Sequence, residues 1–299
     1  MSAAHAIATY ELSKRYGHET ALDRIDLRVP EGAIYALVGG NGAGKSTTFR
    51  ILMNLERADA GAAEVAGMDS VNRGPDLRAL VGYVPERPDH PYRSLTCGAL
   101  LNHAAAYYPA WDRAYADRLC RTFGLRHDRA VRALAKGDGR RLQIVVALAH
   151  RPRVLLLDEP TDGLDPVVRS RTLSLLAEHL ADTPTTILIA THQIHELESL
   201  ADHLGVLRRG RLVAQIARDD LPQAVARYRV DVPPNWQVPP ALHAAGVRPT
   251  NGREAQWTLI GNRGDLIDRL TLAGAFVHDV RPLGLEESAL AFLSQELTE

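Results

Sequence analysis

The stretch Leu37–Thr48, LVGGNGAGKSTT, decides how this chain folds. Gly39, four residues, then Gly44, Lys45 and Ser46 is the spacing of a phosphate-binding loop. The glycines Gly39, Gly40, Gly42 and Gly44 let the backbone turn tightly and aim its N–H groups at an anion, with Asn41, Ala43 and Thr47 completing the cradle. Lys45 can reach the β- and γ-phosphates, and the Ser46 hydroxyl is placed to ligate Mg²⁺. The apolar run Ile34–Val38 reads as a buried strand entering the loop. Ser46–Leu55, with Phe49, Ile51, Leu52 and Leu55 on one side, reads as the helix leaving it. That helix directs its N-terminal partial charge at the phosphates. The bland alternative, a glycine-rich turn that binds nothing, does not explain this strand–loop–helix context. The reading is a nucleoside-triphosphate site, and the loop alone does not say what the energy drives.

Outward from the loop, 299 residues allow about two domains. A balance of 35 basic against 36 acidic residues gives no electrostatic footprint for nucleic acid, nor for anionic lipid. Cys97 and Cys120 have no metal-type spacing and fit a reducing compartment. The N-terminal segment lacks the pattern of a secretory signal, and no aliphatic run approaches the ~20 residues needed to span a bilayer. The expectation is a cytoplasmic chain that does not itself cross a membrane.

Runs at Ala6–Leu12, Ile25–Val29 and Ile34–Val38 predict an N-terminal group of strands. The uninterrupted aliphatic runs Val154–Leu157 and Thr186–Ala190 predict central parallel strands buried on both faces. Ser94–Leu148, rich in Ala, Leu and Arg, predicts a helical insert within an α/β core. Asp165-Pro166 suits an N-cap followed by the first helical position. Near residue 220 the composition changes and prolines cluster. Beyond it we expect strands at Tyr228–Val232, Gly246–Arg248, Ala255–Ile260 and Ala275–Val280, a short helix near Ala241, and helices Asp265–Ala273 and Leu285–Leu297. This is a small α+β domain over 221–299, after a nucleotide-binding domain over 1–220 with its helical part at about 90–150.

VLLLDEP, Val154–Pro160, ends a buried strand in two acids. Successive strand residues point to opposite sides, so Asp158 and Glu159 cannot be redundant. The natural division gives Asp158 to Mg²⁺ and Glu159 to the attacking water, against an alternative in which they are an N-cap and a solvated charge.

At this point the chain resembles the ATP-binding subunits of ABC transporters, from Ala6 to about Ile216. The resemblance rests on the order of phosphate loop, VGYVPE (Val81–Glu86), LAKGD (Leu134–Asp138), VLLLDEP, DGLDP (Asp162–Pro166) and ATH (Ala190–His192). It is most similar to subunits serving two-component exporters whose membrane part is a separate polypeptide; YYPAWDRAYADRLCRTFGL and VRPLGLEESALAFL strengthen that similarity. The resemblance implies a P-loop α/β core with an N-terminal β-subdomain, and ATP with Mg²⁺ as ligands. It implies Tyr16 stacking on adenine (against ordinary strand-end packing), Glu159 as general base and His192 contacting the γ-phosphate. It further implies that Asp165 communicates across a dimer. Leu134, Ala135, Lys136, Gly137 and Asp138, at the start of a helix Gly139–His150, would face the γ-phosphate held by a second copy or a related ATPase subunit. An integral membrane permease is the implied partner, docked through the helical insert and the segment around Glu86–Thr96. The implied location is the cytoplasmic face of the inner membrane.

Two departures stand out. Ala135 replaces the family's serine and removes a hydroxyl donor, a bond worth roughly 1.5–3 kcal/mol toward a charged group. Asp138 adds a negative charge beside it, which Arg140 and Arg141 are placed to offset. Glu86 stands where a magnesium-ligating glutamine is usual; a carboxylate is an acceptable hard-cation ligand. Other readings are a catalytically degenerate partner that binds ATP for regulation, supported by Ala135 alone, and a soluble non-transport ABC ATPase. The latter generally carries tandem nucleotide domains or a long coiled-coil insert, and this chain has neither.

Overall fold

The computed structural model describes residues 5–87, 92–233, 244–251 and 254–294. Its centre is a six-stranded sheet in the order Arg211–Ala217, His203–Arg208, Ile34–Val38, Thr186–Thr191, Val154–Asp158, Val81–Val84. All neighbours are parallel except the first pair, an antiparallel hairpin. Strand periodicity divides the aliphatic runs between two cores. Ala36, Val38, Leu155, Leu157, Ile187 and Ile189 face one cluster with the helices, while Tyr35, Leu37, Leu156, Leu188 and Ala190 face another with the N-terminal strands. The α/β P-loop architecture expected from the loop is the one observed.

The N-terminal layer is an antiparallel sheet built around His5–Tyr16. The expected strand Ile25–Val29 is two elements, Glu19–Ile25 and Arg28–Pro30, which pair with opposite ends of His5–Tyr16. The break is made by polar side chains: Asp26 accepts from the Glu11 N–H and Thr9 Oγ1 accepts from the Leu27 N–H, at 2.9 and 2.8 Å. The insert resolves into helices Cys97–Ala105, Arg113–Phe123 and Lys136–Leu148. Thr96 and Asp112 cap the first two by accepting from the Ala99 and Tyr115 amides.

Beyond residue 220 the described strands form an antiparallel sheet in the order Ala244–Asn251, Glu254–Ile260, Val225–Asp231, Phe276–Pro282. Helix Arg263–Leu272 covers it with Leu266 and Leu270, against Tyr228, Trp257 and Leu259. The short helix expected near Ala241 lies outside the described residues. The last helix is described over Leu285–Ser294. Its Leu285, Ala289 and Phe292 belong to the same core as Leu204 and Val206 of the central sheet, so this helix packs on the nucleotide-binding side.

Candidate functional site

The phosphate loop joins strand Ile34–Val38 to helix Lys45–Leu52. Phe49, Ile51 and Leu52 are buried, but the helix stops earlier than expected and Leu55 is exposed. Asn54 adopts a positive φ of 51° and turns the chain away before Leu55 can reach the core. Gly44, the residue before the helix, has φ 109°, and a Cβ there would overlap the Ala21 carbonyl, so only glycine fits. The buried Lys45 ammonium lies across the loop, donating to the Gly39 carbonyl at 2.7 Å and the Gly40 carbonyl at 3.3 Å. A cleft of about 250 Å³ is lined by Tyr16, Asn41–Thr47, Glu86, Asp158 and Glu159, with Glu19 and Ala21, which sequence reasoning did not single out.

The two acids separate. Asp158 is the last residue of its strand and almost fully buried. Burial raises its carboxyl to about 6, opposed by the neighbouring Ser46 hydroxyl and reinforced by the Glu86 and Glu159 carboxylates. Its Oδ1 is a buried acceptor with no hydrogen-bond partner, and Ser46, Asp158 and Glu86, which line the same cleft, offer only oxygen ligands, a donor set that suits a hard cation. Glu159 lies just past the strand at φ 48°, a strained backbone for a non-glycine residue. Its buried carboxylate contacts His192 Nδ1 at 2.9 Å and the Lys45 ammonium at 3.8 Å, and accepts from Thr191 Oγ1 at 3.1 Å. Thr191 was not among the expected site residues, although a hydroxyl beside His192 was a readable signal. His192 is half-exposed at the end of strand Thr186–Thr191.

Tyr16 is 42% exposed at the cleft mouth, and its hydroxyl accepts from Arg50 Nη2 at 3.0 Å. Asp165 caps helix Pro166–Asp182 by accepting from the Val167 and Val168 amides. Leu134–Asp138 does not line this cleft. The helix expected to begin at Gly139 begins at Lys136, with Ala135 as an N-cap that offers no side-chain acceptor. The amides of Lys136, Gly137 and Asp138 therefore form the helix's first turn. Lys136 pairs with Asp162 at 2.8 Å, fixing this turn beside the chain that follows Glu159.

The charge of Asp138 is met by Arg141 and by Arg129, the latter at 3.2 Å. Arg140 does not take that part. It is fully buried and donates to the Pro85 and Glu86 carbonyls, tying the helix to the Glu86 segment. Only the fold brings residue 140 against residue 86, so no local pattern announces this contact.

A glycine loop between a parallel strand and a helix, a lysine across it, and a buried acid facing a serine hydroxyl define a P-loop nucleoside triphosphatase. The family model described as ABC transporter matches residues 22–162. The bacitracin transport ATP-binding protein BcrA of Bacillus licheniformis is 33% identical over 224 residues, covering 74% of this chain and 73% of that protein. The daunorubicin resistance ATP-binding protein DrrA3 of Streptomyces coeruleorubidus is 36% identical over 234 residues, covering 76% and 73%. A solved ATP-binding subunit of an ABC transporter superimposes with TM-score 0.67 at 31% identity, covering 72% of this chain and 91% of that one. The chain belongs to the ABC transporter ATP-binding family. It is a transporter's ATP-binding subunit, of a kind that hydrolyses ATP, dimerises and works with membrane components. Among the described residues no helix is long and apolar enough to cross a membrane.

Proposed function

We propose that two copies of this chain close head-to-tail around two Mg-ATP and drive export through a separate membrane permease. One observation carries the reading: Leu134–Asp138 presents a helix start with uncapped amides, yet lies outside its own chain's cleft. Those amides suit the γ-phosphate held by a partner. In this reading Ser46, Asp158 and Glu86 hold Mg²⁺, which when bound screens the phosphate charge. Lys45 and the loop amides of Gly39–Thr47 hold the phosphates, and Tyr16 stacks on adenine. Glu159 orients and deprotonates the attacking water, His192 contacts the γ-phosphate, and Asp165 stands at the dimer seam. Residues 221–299 form an accessory unit.

The permease is assigned to a groove of about 560 Å³ between the helical insert and the Glu86 side of the core, walled by Arg78, Tyr83, Tyr92, Leu100, Tyr107 and Tyr108. Its aromatic walls and the Arg78 guanidinium suit an amphipathic helix, which would hold the chain at the cytoplasmic face of the inner membrane. The names of the relatives, bacitracin transport and daunorubicin resistance, support export as the direction. Co-expression with its cognate polytopic membrane protein should move it to the membrane fraction and raise ATP turnover. Tyr107→Glu, at a 68% exposed position, should release it with basal turnover unchanged. A chain that stays soluble beside that protein, with turnover unaltered, contradicts the assignment.

A further inference from the structure

The segment that carries His192 is anchored twice. After His192 the chain forms a short turn, Ile194–Leu197, and then reaches Glu198. Glu196 is the first anchor: it accepts from Thr161 Oγ1 at 2.6 Å and pairs with Arg169 at 2.9 Å, on the stretch that follows Glu159. Glu198 is the second, and it faces the other way. Its Oε1 accepts from the Leu285 N–H and its Oε2 from the Glu286 N–H, each at 2.9 Å. These amides open the last helix, so one carboxylate caps it bidentately across 87 residues of sequence.

The fit is close. A Cβ on Gly284 would overlap Glu198 Oε1, so the approach depends on glycine there. Behind the cap, Leu285, Ala289 and Phe292 share a core with Ile194 and Leu197 of the turn. At the far end Arg208 donates to the Leu293 carbonyl at 3.0 Å. On its outer side the helix is tied to the small sheet by the Arg227–Glu287 pair at 3.0 Å. The last helix thus lies between the accessory sheet and the His192 segment, bonded to both.

We propose that Glu198 is a positioning residue through which helix Leu285–Ser294 holds the His192 segment in register for hydrolysis. The accessory unit then governs the rate of turnover without touching nucleotide. This rests on the role assigned to His192 above; an unchanged kcat in His192→Ala would overturn that role independently of any Glu198 variant. In the 299-residue chain, Glu198→Gln and Gly284→Ala should each lower kcat for ATP about tenfold, short of the roughly hundredfold that a ~1 Å misplacement of a catalytic group can cost. KM for ATP should stay within about twofold, because the phosphate loop is untouched. A merely stabilising contact would lower the melting temperature and leave kcat of the folded protein unchanged. That result, or a change confined to KM, overturns the proposal.

A contact that acts on kcat alone is coupled to the transition state, so the reciprocal effect on the helix belongs to an analogue of that state, Mg-ADP with orthovanadate. Should the variants not fold, Mg-ADP with orthovanadate added to the unsubstituted chain should slow amide exchange at Leu285 and Glu286 by about tenfold relative to Mg-ADP alone, the counterpart of the kcat effect. Unchanged exchange at both amides overturns the proposal.

Discussion

At the scale of single residues, Asp158 illustrates a site built for a ligand at the expense of the chain alone. Its carboxyl is raised to about 6 by burial, against an ordinary value of 3.8. Between those values the folded state holds more protons than the unfolded one, so stability falls as pH rises through that window. The loss is at most about 3 kcal/mol. Asp158→Asn should therefore raise the thermal midpoint of nucleotide-free protein at pH 7, leave it nearly unchanged at pH 4, and abolish turnover. Thermal scans at the two pH values check this; an equal shift at both would mean that ionisation of Asp158 is not the cause. Its neighbour Glu159 reflects the same trade in the backbone, held at φ 48° while bonding Thr191 and His192.

At the scale of elements, Ala135 acquires a second meaning. The missing hydroxyl was readable as a lost donor toward ATP, but the structure places Ala135 as the N-cap of helix Lys136–Leu148. A serine there would also accept from the first-turn amides, worth about 1 kcal/mol with or without nucleotide. Ala135→Ser is thus expected to raise the denaturation midpoint of the nucleotide-free chain, and separately to tighten ATP-driven dimerisation. A chemical denaturation curve with no shift would mean that a serine at 135 does not cap this helix. Local elements were legible for a reason: the phosphate loop carries its geometry within a dozen consecutive residues, and the central strands within five or six. Contacts that join distant segments were not. Arg140 against the Glu86 carbonyl and Glu198 against the last helix depend on packing that no periodicity encodes. Leu55 misled because a helical stripe continues in the sequence after the helix has stopped at Leu52.

At the scale of the molecule, the helical insert is fastened to the core by a buried polar stack. Tyr115 bonds His179 at 2.8 Å, Thr185 lies 3.3 Å from the other ring nitrogen, and Arg151 lies 3.7 Å over the Tyr115 ring. Burial lowers His179 to about 4, and His150, stacked on Tyr108, likewise to about 4. For a depressed histidine the stability is complete above the unfolded value of about 6.5 and is lost as pH falls from there toward 4. Each contributes at most about 3 kcal/mol, opposite in sign to Asp158. Urea midpoints should consequently fall between pH 6.5 and 4, and His179→Gln should flatten that slope; an unaltered slope would relieve His179 of the role.

In the proposed dimer each chain supplies half of an ATP site and receives the other half from a second copy. Glu159→Gln keeps the shape of the site and removes the base, slowing hydrolysis by about 10²–10⁴. Light scattering of this variant after size exclusion in Mg-ATP reads the shared site as particle mass. Saturating Mg-ATP should double the mass of the particle, with two nucleotides retained per pair, and Lys45→Ala in the same background should abolish the doubling. A particle that remains a single chain while nucleotide saturates it would contradict the composite site.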